Sequence, residues 1–144
     1  MKHYNIPNKD VEIIADYDVI VCGGGPAGCA AAIAASKNGA KTLLLEKYGY
    51  LGGATVTQFV MPVLSINGID FQGVWHEWAR ELDQMGGMGI LKSARGRMVD
   101  GSVDPELVKY AWDKLLAKAN VKILHHVYIS DVILENDIIT GLVI

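Results

Sequence analysis

Hydrophobic positions in the first third of the chain follow two patterns, one typical of buried strands and one typical of a helix. Short apolar runs without polar alternation lie within Tyr17–Cys22 and Lys41–Glu46, as expected for parallel strands covered on both faces. Between them, Pro26–Asn38 is mostly alanine, isoleucine and cysteine, opens with proline and is followed by Gly39, the usual helix start and stop signals. The pattern predicts a strand-helix-strand unit with a right-handed crossover.

Helical periodicity returns twice in the rest of the chain. In Phe71–Met85 the apolar side chains recur at helical spacing, and Glu81 belongs to the opposite, polar face. Asp104 precedes a proline and a glutamate, which predicts an N-cap, a first-turn proline and an acidic first turn. The helix that begins there is expected to end near Ala119.

The last part of the chain is predicted to be mainly strand. Val121–His125 is expected to add a third strand, while Val127–Glu135 and Ile138–Ile144 flank an Asn-Asp pair typical of a β-hairpin. Gly86–Gly101 is rich in glycine and is predicted to be a loop. The expected fold class is α/β, with a mainly parallel sheet and an antiparallel hairpin near the carboxyl end.

Composition limits the classes of protein to consider. The chain has 144 residues, of which 51% are hydrophobic, enough for one folded domain and too apolar for a disordered chain. We expect residues 1–16 to be a surface lead-in and 17–144 to form the domain. The formal net charge of −3 argues against binding nucleic acid or an anionic membrane by bulk electrostatics.

Two further classes of protein are disfavoured by single features. The uncharged run Val19–Ser36 is interrupted by three glycines and a proline, so it is not expected to cross a membrane. Cys22 and Cys29 follow no secretory signal and are expected to be reduced thiols of a cytoplasmic protein. Cys29 is expected to be a buried packing thiol.

The glycines after the first predicted strand carry the functional signal. Gly23, Gly25 and Gly28 satisfy the pattern G-x-G-x-x-G at the opening of a predicted helix. In that position the first glycine permits a tight turn, the second lets the backbone approach a pyrophosphate, and the third lets the helix pack on the strand. The amino end of the helix then attracts the phosphates.

An acidic residue ends the second predicted strand. Glu46 lies eighteen residues after Gly28, where a carboxylate accepts hydrogen bonds from a ribose diol. A carboxylate there repels a 2′-phosphate, which disfavours NADP-type ligands. Gly52 and Gly53 follow, a second stretch of bare backbone that can approach the phosphates or the ribitol of a cofactor. Together these residues predict a dinucleotide-binding site.

The same residues resemble a known family. Residues 18–32 match D-V-I-V-x-G-G-G-P-A-G-x-A-A-A, and residues 46–53 match E-[RK]-Y-G-[FY]-L-G-G. Both are typical of the FAD-dependent oxidoreductases of the glutathione-reductase-like superfamily. The resemblance is specific over residues 17–55 and looser over 103–144. It implies a Rossmann-like FAD-binding domain, FAD as the cofactor, and a flavin that accepts a hydride or electron pair from a reduced substrate.

The resemblance also implies a role for each matching position. Glu46 would hold the adenosine ribose with Lys47 beside it, and the backbone of Val127 would pair with the adenine edge. The pyrophosphate would be lined by Gly23, Gly25, Pro26, Ala27 and Gly28. The path along the phosphates toward the ribitol would be continued by Gly52, Gly53, Ala54 and Thr55.

Other functions remain open at this point. An NAD-binding dehydrogenase domain has the same glycine and acid pattern. The superfamily carries a further glycine-acid motif near the carboxyl end of the domain, and no such motif is present before Ile144. We therefore expect a fragment of a longer flavoprotein, or a subunit whose partner chain supplies the remainder and which is inactive alone. A homo-oligomer is a further alternative.

Outside the nucleotide motif, few residues indicate a metal site or a catalytic function. His125 and His126 are expected to point to opposite faces of a strand and so not to share a metal, and no metal site is predicted. Catalytic residues, substrate and electron acceptor cannot be assigned. The predicted Gly86–Gly101 loop holds three cationic side chains, Lys92, Arg95 and Arg97. They could receive an anionic substrate, although a solvated loop is the simpler interpretation.

Overall fold

A computed structural model describes residues 10–63, 72–92 and 98–144. The strands are β1 (Val19–Cys22), β2 (Thr42–Leu45), β3 (Pro62–Val63), β4 (Met88–Lys92), β5 (Met98–Val103), β6 (Lys122–Leu124), β7 (Asp131–Glu135) and β8 (Ile138–Val143). The helices are α1 (Pro26–Lys37), α2 (Ala54–Thr57), α3 (Val74–Gln84) and α4 (Pro105–Lys118). None of these helices is both long enough and apolar enough to cross a membrane.

The parallel sheet has the strand order β1-β2-β6. Val19 pairs with Thr42 and Cys22 with Leu45, so β1 and β2 run side by side with α1 as their crossover. All four residues of β2 are buried, in keeping with the three consecutive leucines, Leu43–Leu45, of this central strand. The predicted α/β fold class and its strand-helix-strand unit are confirmed.

Helix α1 begins and ends as its sequence predicts. Pro26 occupies the first turn, where its missing N–H is not needed. Asn38 is the C-cap, and Gly39 has φ +92, the left-handed conformation that favours glycine after a helix. The small side chains of Cys29 and Ala32 are fully buried and let the helix pack closely on the sheet.

Helices α3 and α4 complete the core beside α1. Asp104 caps α4 by accepting the N–H groups of Glu106 and Leu107, as expected for this N-cap. The rings of Trp78 and Trp112 stack with their centroids 5.5 Å apart where α3 meets α4. The largest fully buried side chains of the described residues are Trp112, Ile33, Leu44, Leu51, Leu82, Leu116, Val108 and Cys29.

The prediction of a loop over Gly86–Gly101 was wrong. β4 and β5 lie within or across this range, and β5 also pairs with β3 in an antiparallel sheet of order β3-β5-β4. Local sequence disfavours strands here because glycine has low β propensity, so long-range pairing decides the conformation. Lys92 lies in β4, while Arg95 and Arg97 lie outside the described residues.

The carboxyl-terminal hairpin is confirmed, with tighter bounds than predicted. β7 and β8 are antiparallel and joined at Asn136 and Asp137, whose φ values of +50 and +63 suit a two-residue turn. A cavity of about 500 Å³ separates the hairpin and residues 11–17 from one face of the parallel sheet. Neither the glycines at 23–28 nor Glu46 lines it, so it is distinct from the predicted nucleotide site.

A buried carboxylate joins α3 to α4. Glu81 was expected on the polar face of its helix, yet only 5% of its surface is exposed. The ammonium groups of Lys114 and Lys118 bind its two carboxylate oxygens and cover it. Their hydrogen bonds lower the pKa of Glu81 below its ordinary value of 4.5, although burial opposes this shift.

This ion-pair cluster predicts a pH dependence of stability. Because the folded-state pKa of Glu81 is lowered, its contribution is complete above pH 4.5 and is lost as the pH falls through the folded-state pKa. We expect Glu81→Gln to reduce the free energy of unfolding by about 1–2 kcal/mol at pH 7, allowing for water's screening of the exposed ammonium groups.

Urea unfolding at neutral and acidic pH measures this effect. The difference between Glu81→Gln and the parent chain should shrink in acid, since both then carry a neutral side chain. Glu77→Gln is the matched control on the same helix, because Glu77 pairs with Lys37 at the surface and should contribute little. Equal stability of the parent chain and Glu81→Gln at pH 7 would contradict the assignment.

Candidate nucleotide-binding site

Two glycine-rich loops meet above the carboxyl end of the parallel sheet. The N–H of Gly52 donates to the carbonyl of Gly24 at 2.9 Å. A Cβ placed on Gly53 would lie 3.0 Å from the Cα of Gly25 and 3.1 Å from the Cδ of Pro26. The structure therefore brings the residues after β1 together with those after β2, and bare backbone is required at their contact.

Within the first loop, the individual glycines meet different requirements. Gly23 has φ +103, a conformation that L side chains rarely adopt. A Cβ on Gly28 would lie 1.9 Å from the carbonyl oxygen of Gly23, so α1 can approach the loop only with glycine here. Gly25 has ordinary backbone geometry, and the nearest neighbour of an added Cβ, the Cα of Gly53, would lie 3.9 Å away, which leaves space for the close approach of a ligand.

The amino end of α1 leaves backbone donors available. Gly25 is the N-cap in extended conformation, and no side chain of the described residues caps the helix. The N–H of Cys29 bonds to the carbonyl of Gly25 at 2.9 Å. The N–H groups of Ala27 and Gly28 precede this bond and have no acceptor within the helix, and Ala27 is exposed. Such donors, together with the helix dipole, attract phosphate.

Glu46 lies between the two loops. Only 7% of its surface is exposed, and its Oε2 accepts the N–H of Gly24 at 2.5 Å. Its Oε1 accepts the N–H of Tyr48 at 2.8 Å. Since each carboxylate oxygen has about two lone-pair sites, each retains capacity for one more donor. A vicinal diol, with one hydroxyl for each oxygen, matches that capacity.

The remaining predicted site residues fall in three places. Ala54 and Thr55 form the first turn of α2 beside Gly53, in line with the second glycine loop. Lys47 is exposed, and its ammonium lies 4.8 Å from the centroid of the Tyr48 ring. Val127 lies next to Glu46, and its N–H donates to the Glu46 carbonyl at 3.1 Å. This leaves the Val127 carbonyl for the predicted adenine edge.

Two contributors were missed by the sequence interpretation. Gly24 matches the family motif but was assigned no role, yet its N–H binds Glu46 and its carbonyl binds the second loop. A Cβ there would lie 2.4 Å from Cδ2 of Leu51 and 3.0 Å from Oε2 of Glu46. The run of three glycines was the available signal for Gly24. The Tyr48 donor is a backbone group and had no signal in the sequence.

The predicted arrangement of the two histidines was wrong. β6 ends at Leu124, and His126 has φ +59, so the chain turns instead of continuing as a strand. Nδ1 of His125 lies 3.1 Å from the carbonyl oxygen of Tyr48. A Cβ on Gly49 would lie 2.8 Å from Nε2 of His126, so both histidines face the loop that follows Glu46. No cluster suited to a metal ion occurs among the described residues.

The two cysteines differ in environment. Cys22 is exposed, whereas Cys29 is fully buried and donates its S–H to the carbonyl of Gly24. Burial raises the pKa of the Cys29 thiol to about 12, and the negative charge of Glu46 adds to this shift. Cys29 is therefore a packing thiol, as predicted, and not a nucleophile at neutral pH.

The residues of this site can be compared with the groups that a bound FAD presents. Bare backbone at Gly25, N–H groups without an acceptor within the helix at the start of α1 and a diol-matched carboxylate suit the pyrophosphate and adenosine ribose of a dinucleotide. Together with the parallel βαβ unit they define a dinucleotide-binding α/β domain. Residues 18–144 match the family described as FAD dependent oxidoreductase, and the chain belongs to that family. FAD, and not NAD, is thus the family's cofactor, and it fits these residues.

Known proteins with similar sequence or structure are larger. Thiamine thiazole synthase of Methanococcus vannielii is 31% identical over 138 residues, which cover 91% of this chain and 47% of that protein. Dihydrolipoyl dehydrogenase of Trypanosoma brucei brucei is 36% identical over 77 residues, 54% of this chain and 16% of that protein. This chain therefore spans less than half the length of these curated relatives.

A solved structure supports the same fold. The crystal structure of a geranylgeranyl bacteriochlorophyll reductase-like protein from Thermoplasma acidophilum matches with a TM-score of 0.57 and 25% identity. The match covers 88% of this chain and 34% of that one. The Rossmann-type fold extends over most of the chain, and a larger part of that protein has no counterpart in it.

Proposed function

We propose that this chain provides the adenosine and pyrophosphate side of the cofactor site in a flavin-dependent oxidoreductase. The observation that carries the proposal is Glu46, a buried carboxylate whose two oxygens bind one backbone N–H from each glycine-rich loop. A ribose diol can use the remaining acceptor capacity of those oxygens. Membership of the FAD dependent oxidoreductase family supports this assignment.

In this proposal the chain's own groups bind and orient the cofactor. The N–H groups of Ala27 and Gly28 would donate to the pyrophosphate, while Gly25 leaves room for its approach and Gly53 lets the second loop pack on the first. Glu46 would fix the ribose and, by its charge, disfavour a nucleotide with a 2′-phosphate. Bound FAD would supply the redox chemistry by accepting a hydride or electron pair from a reduced substrate.

We further propose that the substrate side lies outside these 144 residues. The chain spans 47% of the thiamine thiazole synthase it resembles, which leaves room for a further portion or a partner chain to complete the site. A homo-oligomer is an alternative assembly. The domain would extend over residues 17–144, after a lead-in at 1–16. The free thiols of Cys22 and Cys29 support a cytoplasmic location.

The branch of flavoproteins to which this chain belongs is also a proposal. The two glycine motifs resemble the glutathione-reductase-like superfamily, and the match to dihydrolipoyl dehydrogenase supports that branch. The similarity to thiamine thiazole synthase covers more of the chain and supports a different branch. The fold and the Glu46 site are independent of this choice.

The test of function is the identity of the bound nucleotide. We expect purified protein to carry flavin absorbance at about 450 nm, or to acquire it when FAD is added. Calorimetric titration should give tighter binding of FAD than of NADH. Tighter binding of NADH, or no binding of either, would contradict the proposal. FMN, which lacks the adenosine, is the matched control ligand and should bind more weakly than FAD.

A further inference from the structure

The peptide that aims a donor at Glu46 is anchored on both sides. Its N–H belongs to Tyr48 and donates to Oε1 of Glu46 at 2.8 Å. On one side, the Glu46 carbonyl accepts the N–H of Val127 at 3.1 Å. On the other side, the Tyr48 carbonyl accepts from two groups that follow β6, Nδ1 of His125 at 3.1 Å and the N–H of His126 at 3.4 Å. The loop after β2 is therefore tied to the chain after β6.

His125 is the only side chain among these anchors. Because a carbonyl oxygen can only accept, the contact with Tyr48 requires a hydrogen on Nδ1 of His125. His125 lies just beyond β6, whose pairing ends where Leu45 meets Leu124, and it points back across that end to the loop after β2. Its removal would leave the Tyr48 carbonyl with the longer His126 bond.

We propose that His125 is a positioning residue for the nucleotide ribose. It holds the Tyr48 carbonyl, so that the Tyr48 N–H keeps the Glu46 carboxylate turned toward a vicinal diol. This inference rests on the proposed function, since it assigns Glu46 to a ribose. The ligand chemistry that it governs is the pair of ribose hydroxyls, and not the phosphates, which are assigned to the start of α1.

A second neighbour of His125 must be separated from this effect. Burial raises the pKa of the Asp113 carboxyl on α4, and the charge of His125 opposes that rise. Replacing His125 therefore changes the surroundings of Asp113 as well as those of Tyr48. A measurement that reports only on binding of the ribose hydroxyls distinguishes the effect at Tyr48 from the effect at Asp113.

The experiment compares ADP with 2′,3′-dideoxy-ADP, which keeps the adenine and both phosphates but lacks the diol. Calorimetry should show that the parent chain prefers ADP. In His125→Leu the affinity for ADP should fall about three- to tenfold, as for loss of one hydrogen bond, while that for dideoxy-ADP stays the same. His125→Asn should restore the preference, because its amide nitrogen takes nearly the place of Nδ1.

Controls keep the outcome decisive. His76→Leu is the matched variant, since His76 is an exposed histidine of α3 whose ring contacts Arg80. Should His125→Leu fail to fold by circular dichroism, His125→Gln replaces it, because its amide lies one bond farther from the backbone. Equal losses for ADP and dideoxy-ADP, or no rescue by His125→Asn, would overturn the inference alone. A parent chain without preference for ADP would overturn the Glu46 assignment and this inference with it.

Discussion

Replacing Gly28 by alanine is expected to displace the start of α1 and lower the free energy of unfolding by about 3 kcal/mol or more. The added Cβ would lie 1.9 Å from the carbonyl oxygen of Gly23 and 3.1 Å from its carbonyl carbon. Neither atom can move away as a flexible side chain would, because both belong to the tight turn after β1. Alanine's better helix propensity offsets only about 1 kcal/mol of this effect.

Chemical unfolding and FAD titration measure the two consequences of the Gly28 change. We expect a lower unfolding midpoint together with loss of FAD binding, since the displaced helix no longer aims its N–H groups at the phosphates. Gly25→Ala is the matched control in the same loop. Its Cβ would have its nearest neighbour at 3.9 Å, so the fold should tolerate it. FAD binding should still weaken there because the methyl group occupies the ligand's approach.

The pair of variants separates packing from ligand approach. If Gly28→Ala keeps the stability of the parent chain, the contact between α1 and the turn is not as close as described. If Gly25→Ala binds FAD as tightly as the parent chain, the pyrophosphate does not pass over Gly25. The first result would contradict the close packing of α1 on the turn, and the second would contradict the assigned path of the pyrophosphate.

Replacing Glu46 by alanine is expected to weaken FAD binding by about 1–3 kcal/mol, the value of charge-assisted hydrogen bonds to the ribose. The structure adds a second consequence, because Gly24 and Tyr48 each donate an N–H to this carboxylate. Losing these two hydrogen bonds removes a link between the two glycine-rich loops, so the free energy of unfolding should fall as well. Titration of FAD under conditions where circular dichroism shows a folded protein isolates the binding effect.

Glu46→Gln sharpens the same test. The amide keeps the shape of the side chain but presents an NH2 group to one of the two backbone donors, so it cannot satisfy both. We expect it to bind FAD more weakly than the parent chain as well. Glu135→Ala, which removes an exposed carboxylate from β7, is the control for a change of net charge. Unchanged FAD affinity in both Glu46 variants would refute the ribose assignment.

Local sequence signals located the elements that carry the site. The uninterrupted apolar runs before Gly23 and before Glu46 identified β1 and β2, and proline and Gly39 marked the ends of α1. These signals are reliable because they depend on near neighbours in the chain. A buried parallel strand must be apolar, and a helix end must accommodate proline or a left-handed residue. The cap of α4 at Asp104 was predictable for the same reason.

Signals that depend on distant partners were absent or misleading. β4 and β5 form in a glycine-rich stretch because they pair with each other and with β3. Glu81 has the sequence position of a solvated residue, but Lys114 and Lys118 of another helix cover it. In both cases the deciding contacts join residues far apart in sequence, which periodicity along one segment does not record.

The cofactor site also combines features that local sequence predicts with features that depend on distant partners. The sequence by itself determined which residues are chemically suited to a dinucleotide, because G-x-G-x-x-G and the acid at position 46 are required by backbone sterics and by the ribose diol. Only the tertiary structure decided how they are held. The Gly24 and Tyr48 N–H groups and the ring of His125 converge on Glu46 and its loop because three strands end at one edge of the sheet.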